Sequence, residues 1–402
     1  MTVRSASHRS PKSAALVMVN ARGAARVRNG HCWVYRSDLV STEGAAAGAL
    51  VTVADAAGNP LGAALYSSSS QIAVRMLGSQ SIAEEDFPAL LDQRLAEAVA
   101  LRQRLVRDSN AYRVVFSEAD FLPGLIVDCY HDVLSLQVLT QAMDLPPRRQ
   151  GILDHLVKHF APAGIVERMD ERVRELENLP ARAAEVVWGA KAETVFTMNG
   201  IRFHYDGLSG QKTGAFLDQR ENYAAAARYA KGEALDVCCY QGGFALHLAR
   251  VCEHVAGIDS SRAALEAAER NATLNGRDLE WIEANAFDLL KDYAAAGRQF
   301  DTVILDPPPF AKTKRALATA LRGYKELNLR ALKMLRRDGL LVTCSCSFHV
   351  SEADFLQMLA AAALDAHKQL HVVGRRTQAV DHPVLLTVPE TQYLKCVLAI
   401  VR

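Results

Sequence analysis

Three short segments carry residue types that suit chemistry. Leu235-Asp236-Val237-Cys238-Cys239-Tyr240-Gln241-Gly242-Gly243-Phe244 has the pattern of a strand that runs into a glycine turn and then a helix. Asp306-Pro307-Pro308-Pro309-Phe310 ends a second strand pattern with a carboxylate and stiff prolines, and Thr343-Cys344-Ser345-Cys346-Ser347 ends a third with thiols. A doubly wound sheet places such strand ends along one edge, where these folds bind ligands. A nucleotide-like cofactor, a carboxylate clamp and a nucleophile would then converge. That combination suggests methyl transfer to a pyrimidine base.

The cofactor side comes first. Asp236 ends its strand, and Gly242-Gly243 lets backbone approach a ligand closely. Asp259 ends the next strand pattern, where such folds put a carboxylate on ribose hydroxyls. The segment is not GxGxxG, the fingerprint that a dinucleotide pyrophosphate requires together with a helix N-terminus. S-adenosylmethionine has no phosphate; it needs room, a partner for its amino group and a ribose clamp. Tyr240 and Ser260 adjoin these carboxylates and join the expected cofactor set. Asn285 follows the third strand, where its oxygen is either an acceptor for the adenine amino group or simply part of a turn.

Cytosine C5 is a poor nucleophile. A thiolate that adds at C6 produces an enamine able to attack an electrophilic methyl group. A base then removes the C5 proton and the thiol leaves. Such a site needs a cysteine and a group that bonds the N3/N4 edge; Asp306 and one of Cys344 and Cys346 supply those types. The two thiols share one side of an extended segment, so spacing alone does not choose between them.

The elements that must position these groups follow from pattern. Short apolar runs over 14–76 (Leu16–Val19, Leu50–Ala54, Leu61–Leu65, Ile72–Met76), with a Gly58-Asn59-Pro60 turn, predict a compact all-β module. Residues 87–107 predict an amphipathic helix. Strand-like runs at Arg113–Phe116, Leu125–Tyr130 and Val133–Leu139 come next, then a helix over 146–160, a strand over 164–168 and a hairpin signalled by Asn199-Gly200. From 221 onward, strand runs (Leu235–Val237, Val255–Ile258, Val303–Leu305, Leu340–Thr343) alternate with helical patterns, as in a parallel sheet covered on both faces.

Composition bounds the function classes. The 402 residues suffice for two or three domains, and no run of about 18 apolar residues predicts a membrane span. Residues 1–13 lack the apolar stretch of a secretory signal. The eight cysteines contain no CxxC, so a zinc site is not expected and a cytosolic chain with free thiols fits. The net charge of +1 hides an uneven spread: Arg4, Arg9, Lys12, Arg22, Arg26, Arg28 and Arg36 all precede the first acidic residue, Asp38. This stretch is either a solvated surface or a phosphate-contacting face. Within Gly30-His31-Cys32-Trp33-Val34-Tyr35, the two aromatics suit a small barrel core better than base stacking.

At these residues the chain resembles the bacterial ribosomal-RNA cytosine-C5 methyltransferases that act on 23S rRNA. The resemblance spans nearly the whole chain. It is carried by Gly30–Tyr35, by Leu122-Pro123-Gly124-Leu125-Ile126-Val127-Asp128, and by Gln211-Lys212-Thr213-Gly214-Ala215-Phe216-Leu217-Asp218-Gln219-Arg220. The glycine turn, Asp306–Phe310, Arg322-Gly323-Tyr324-Lys325, Ser345-Cys346-Ser347 and Asp381-His382-Pro383 complete it. It implies an α/β chain whose C-terminal, doubly wound (Rossmann-like) class I methyltransferase (201–402) follows an N-terminal all-β PUA barrel (1–80) and a small central α/β domain (81–200). It implies S-adenosylmethionine as cofactor, ribosomal RNA as partner, no metal, no membrane and a cytoplasmic location, and leaves a homodimer open. It assigns the nucleophile to Cys346, with Asp306 as its catalytic companion, and leaves Cys344 to packing. Gln219 and Arg220 flank the cofactor pocket in such relatives. RNA-binding candidates are Arg22, Arg26, Arg28, Trp33, Lys212, Lys312 and Lys314. The last two are included because Pro309 stands where relatives commonly carry a lysine, while Asn285 replaces a more usual aspartate. Two other readings stand beside this one: methylation of a base nitrogen, for which Asp-Pro-Pro suffices without a thiol, and an RNA-binding assembly factor without activity.

Overall fold

A computed structural model describes residues 15–209, 214–311 and 313–402. The N-terminal module comprises β1 (Ala15–Val19), α1 (Ala21–Arg28), β2 (Trp33–Tyr35), β3 (Leu39–Ser41), β4 (Leu50–Asp55), β5 (Pro60–Tyr66) and β6 (Ile72–Gly78), in a sheet of order β2-β6-β5-β4-β1-β3. Helix α1 breaks the all-β expectation. Asn20 caps it by accepting from the Gly23 amide, so the arginine-rich segment winds into a helix instead of extending.

The central part holds α2 (Phe87–Leu105), β7 (Ala111–Phe116), β8 (Leu125–Tyr130), β9 (Val133–Val138), α3 (Pro146–Phe160), β10 (Gly164–Glu167), α4 (Glu171–Leu176) and β11 (Glu185–Gly189), with sheet order β11-β10-β9-β8-β7. Leu50, Ala63, Leu65 and Leu77 from the N-terminal sheet share one apolar core with Leu95, Leu125 and Ile152. Arg75 and Ser67 also reach across to the buried Glu177, at 2.9 and 2.8 Å. The first module is therefore packed into the second rather than tethered to it.

A hairpin of β12 (Glu193–Met198) and β13 (Ile201–Asp206) turns at Asn199-Gly200, both at positive φ. The division expected at 200/201 passes through this turn. The hairpin's Phe196, Met198, Ile201 and Phe203 pack with Tyr223, Phe244 and Leu246 of the C-terminal part.

That part contains α5 (Arg220–Ala227), β14 (Glu233–Val237), α6 (Gly243–Leu248), β15 (His254–Asp259), α7 (Arg262–Leu274), β16 (Glu280–Glu283), α8 (Ala286–Ala295), β17 (Phe300–Leu305), α9 (Leu317–Met334), β18 (Leu335–Ser345), α10 (Glu352–Asp365), β19 (Leu370–Arg376) and β20 (Lys395–Val401). The sheet order is β16-β15-β14-β17-β18-β20-β19, a doubly wound arrangement with its switch point at β14 and β17. The pairings among β14–β18 are parallel, but β20 runs antiparallel between β18 and β19. Its residues Cys396–Ala399 are buried on both faces, so a continuous apolar run conceals the direction of the strand.

Candidate active site

The carboxyl ends of β14, β15, β17 and β18 open into one cleft of about 1400 Å³. It is lined by Cys238, Tyr240, Asp259, Ser260, Asn285, Asp306–Phe310 and Cys346, and across from them by Arg113, Gln137, Met169–Arg172, His382 and Tyr393. The convergence expected of the three motifs occurs, with a wall from the central part that sequence reasoning missed.

The glycine turn works differently from expectation. Cys238 (φ 64°), Tyr240 (φ 50°) and Gly242 (φ 84°) all adopt the left-handed region, a strained run at the strand end. A Cβ on Gly243 would lie 2.5 Å from the Tyr223 ring, and one on Gly242 would lie 3.0 Å from Trp281. The glycines therefore admit protein side chains and permit the turn. Asp236 lies behind this turn, fully buried and outside the cleft lining; its Oδ2 accepts from the Ala245 amide at 2.8 Å and staples α6 to β14. Its Oδ1 has no partner among the described residues, and burial pushes the carboxyl up to about 8.

Asp259 remains in the cleft, half-buried, with one oxygen accepting from Tyr240 N and the other from Ser261 N, both at 2.9 Å. Each carboxylate oxygen keeps a second lone pair for a ribose hydroxyl. The amides of Cys239 and Gly242 are also engaged, with Ile258 O and Cys239 O. These turn amides are thus unavailable to a pyrophosphate, while Ile258, Ala284 and Phe287 offer an apolar ledge. The donor set fits S-adenosylmethionine: a carboxylate for the ribose and apolar surface for the adenine, with the Cys239, Tyr240 and Gly242 amides already engaged. Ser260 is exposed at this edge. Asn285 is there too, but its Oδ1 caps α8 by accepting from the Phe287 and Asp288 amides at 2.9 and 3.4 Å. The acceptor expected for adenine is committed to the helix, and the turn alternative describes it better.

The Asp306 carboxylate accepts from Gln219 Nε2 at 3.0 Å, and Gln219 Oε1 in turn accepts from Asn222 at 2.7 Å. Gln219 thus orients Asp306. Arg220 does not line the cleft; its guanidinium grips Asp381 at 2.8 and 3.1 Å in a buried pair. Charge neutralisation inside the protein, not cofactor contact, accounts for its position.

The structure separates the two thiols. Strand β18 ends at Ser345, so the same-side rule stops applying one residue before Cys346. Cys344 is sealed opposite Cys396 in the β18–β20 register, and burial pushes its thiol well above the ordinary value. Cys346 is half-buried and lines the cleft. Its loop is braced: Ser345 Oγ donates to Tyr324 Oη at 3.0 Å, Tyr324 Oη lies 2.9 Å from Ser347 Oγ, and Ser347 Oγ accepts from Ala311 N at 3.2 Å. Lys395 Nζ donates to Ser347 O at 2.7 Å, and burial lowers its ammonium to about 8.

Of the N-terminal cations, Arg4, Arg9 and Lys12 lie outside the described residues, and Arg22, Arg26 and Arg28 are engaged. Arg22 and Arg26 pair with Asp38, and Arg28 pairs with Asp55. Trp33 Nε1 donates to Glu118 at 3.0 Å, which makes it a bridge to the central part. Lys314 is exposed beside the Asp-Pro loop, and Arg172 is exposed on the cleft's far wall. Lys212 and Lys312 lie outside the described residues. Among the described residues, no His/Cys/Asp/Glu group is arranged to hold a metal, and no helix is long and apolar enough to cross a membrane.

Residues 17–79 match a PUA-like domain, and residues 122–398 match the S-adenosylmethionine-dependent methyltransferase family. A ribosomal RNA large subunit methyltransferase I from Tolumonas auensis is 36% identical over 375 residues, covering 91% of this chain and 94% of that protein. The Vibrio parahaemolyticus protein of the same name is 36% identical over 395 residues, covering 95% and 98%. Among solved structures, the methyltransferase SMU.776 in complex with SAH superimposes with a TM-score of 0.81 at 17% identity, covering 96% of this chain and all (100%) of that one.

Proposed function

Since this chain belongs to the S-adenosylmethionine-dependent methyltransferase family, among the ribosomal RNA large subunit methyltransferase I proteins, we propose that it methylates C5 of a cytosine in large-subunit rRNA, with Cys346 as nucleophile. One observation carries this reading: Cys346 and Asp306 share a cleft with Asp259, whereas Cys344 is sealed in the sheet.

When bound, S-adenosylmethionine supplies an electrophilic methyl group. Asp259 would hold its ribose. The target cytosine is flipped out of its stack, because C5 and C6 are otherwise covered. Asp306, steadied by Gln219, holds the N3/N4 edge. The Cys346 thiolate adds at C6, and the electron pair released from the C5–C6 double bond would make C5 a nucleophile towards that methyl group. Loss of the C5 proton then restores the double bond and expels Cys346. The braced Ser345–Tyr324–Ser347 loop holds the sulfur in place during both steps.

The test uses rRNA fragments containing 5-fluorocytosine, whose C5 fluorine cannot leave as a proton. A denaturant-stable enzyme–RNA adduct is expected with the natural protein and with Cys344→Ala, and none with Cys346→Ala, which should also fail to methylate. An active Cys346→Ala protein would replace this reading with methylation of a base nitrogen oriented by Asp306 and its prolines.

A further inference from the structure

The C5 proton needs an acceptor, and the residues given roles above do not supply one. Asp306 is bonded to Gln219 and engaged with the base edge. Asp259 belongs to the cofactor end and already accepts two amides. Asp218 accepts from the Tyr393 hydroxyl at 2.6 Å. Asp170 and Glu171 are exposed at the mouth.

His382 is different. It lines the cleft that holds Cys346, and it is only 2% exposed. Its Nδ1 lies 3.2 Å from Asp381 Oδ1, and no protein hydrogen bond to its Nε2 is present among the described residues. Asp381 is itself immobilised: its carboxylate accepts from Arg220 Nη1 and from the Arg113 amide, each at 2.8 Å, and its carbonyl accepts from Arg102 Nη2 at 2.9 Å. Burial alone would raise the Asp381 carboxyl, but His382 and Arg220 hold it well below the usual carboxylate range. When His382 is neutral, the fixed anion at Nδ1 favours the tautomer with its proton there, and Nε2 then presents a lone pair. The Phe116 ring packs against the imidazole at 5.3 Å, tilted by 60°.

We propose that His382, oriented by Asp381, is the general base that removes the C5 proton from the methylated cytosine, an inference that rests on the Cys346 adduct described above. Nε2 takes the proton, the C5–H electron pair forms the C5=C6 bond, and the S–C6 bond breaks to return the Cys346 thiolate. Asp381 is a positioning residue and stabilises the imidazolium that forms.

The experiment uses the full-length His382→Gln protein, radiolabelled S-adenosylmethionine and unmodified rRNA fragment. Blocking proton removal leaves the methylated adduct unresolved. Turnover is expected to fall by about 10²–10⁴-fold, with accumulation of a denaturant-stable, methyl-labelled enzyme–RNA adduct that the natural protein does not build up. S-adenosylmethionine affinity by calorimetry should be unchanged and shows that the variant is folded. Undiminished turnover would overturn the proposal. So would lost turnover with no labelled adduct in both His382→Gln and His382→Asn, since the histidine would then act before methyl transfer. Failure of the cysteine reading registers separately, as an absent fluorocytosine adduct in the natural protein.

Discussion

Several side chains at the cleft share a residue type with a familiar role yet do something else. Asp259 and Asn285 both border the cofactor end, but the Asn285 oxygen is occupied by two helix amides. Asp259→Ala is therefore expected to abolish most S-adenosylmethionine binding, because it removes charge-assisted bonds to the ribose. Asn285→Ala should leave affinity nearly intact and cost about 1 kcal/mol of stability as a lost cap. Calorimetry and thermal melting on the pair separate the two effects; equal affinity losses would contradict the assignment. Asp236 has a different signature. Its carboxyl is raised from 3.8 to about 8 in the folded protein, so the folded state holds a proton that the unfolded chain releases above about pH 4. Stability from this group is fully present below that point and is lost as pH rises towards 8. Asp236→Asn can keep the Ala245 bond and should flatten the decline. Urea titrations of the cofactor-free protein at pH 5 and pH 8 read it directly; an unchanged pH dependence would show that another group dominates.

At the scale of elements, the position of the proposed nucleophile depends on β18 ending where it does and on what grips the loop beyond. Tyr324 projects from α9 to both Ser345 and Ser347, and Ser347 ties in turn to the chain just after the Asp-Pro-Pro-Pro-Phe segment. One phenol hydroxyl thus links the thiol loop to the carboxylate loop. Tyr324→Phe would remove the phenol partner of two buried serine hydroxyls, at about 1–3 kcal/mol. It is expected to lower the rate of fluorocytosine adduct formation while sparing S-adenosylmethionine affinity. Equal rates in the two proteins would mean that Lys395 and the strand pairing alone hold the loop.

Across the whole molecule, the central and C-terminal parts form the walls of one cleft, and the N-terminal part braces the central one. The central part supplies Arg113, Gln137 and the 169–172 segment opposite the strand ends. The N-terminal sheet shares its core and its Arg75–Glu177 pair with that central part. Removing the sheet would expose apolar core and leave Glu177 a buried unpaired charge, so truncation is a poor probe of RNA contact. Because Arg22, Arg26 and Arg28 are paired with carboxylates, exposed cations at the cleft are the better test. Arg172→Glu and Lys314→Glu should each weaken binding of the rRNA fragment and reduce its salt slope by about one, with S-adenosylmethionine affinity unchanged. Unchanged slopes would place the phosphate contacts elsewhere.

Much of this was legible in sequence because local patterns act locally. Alternating strand and helix runs, the Asn199-Gly200 turn and the strand-end positions of Asp236, Asp259, Asp306 and the thiols are set by periodicity and turn chemistry within a few residues. The resemblance added the cofactor class and the choice of Cys346. Sequence had no means of showing how groups far apart in the chain spend one another's hydrogen bonds. Arg220 meets Asp381 across 161 positions, and Trp33 meets Glu118 across 85. The arginines of α1 are neutralised by carboxylates that follow them, and Gly243 makes room for Tyr223. The direction of β20 and the cleft wall from the central part are likewise long-range outcomes. Residue type fixes what a side chain can bond. Which bond remains open for a substrate is settled only when the packed chain has satisfied its buried donors and acceptors.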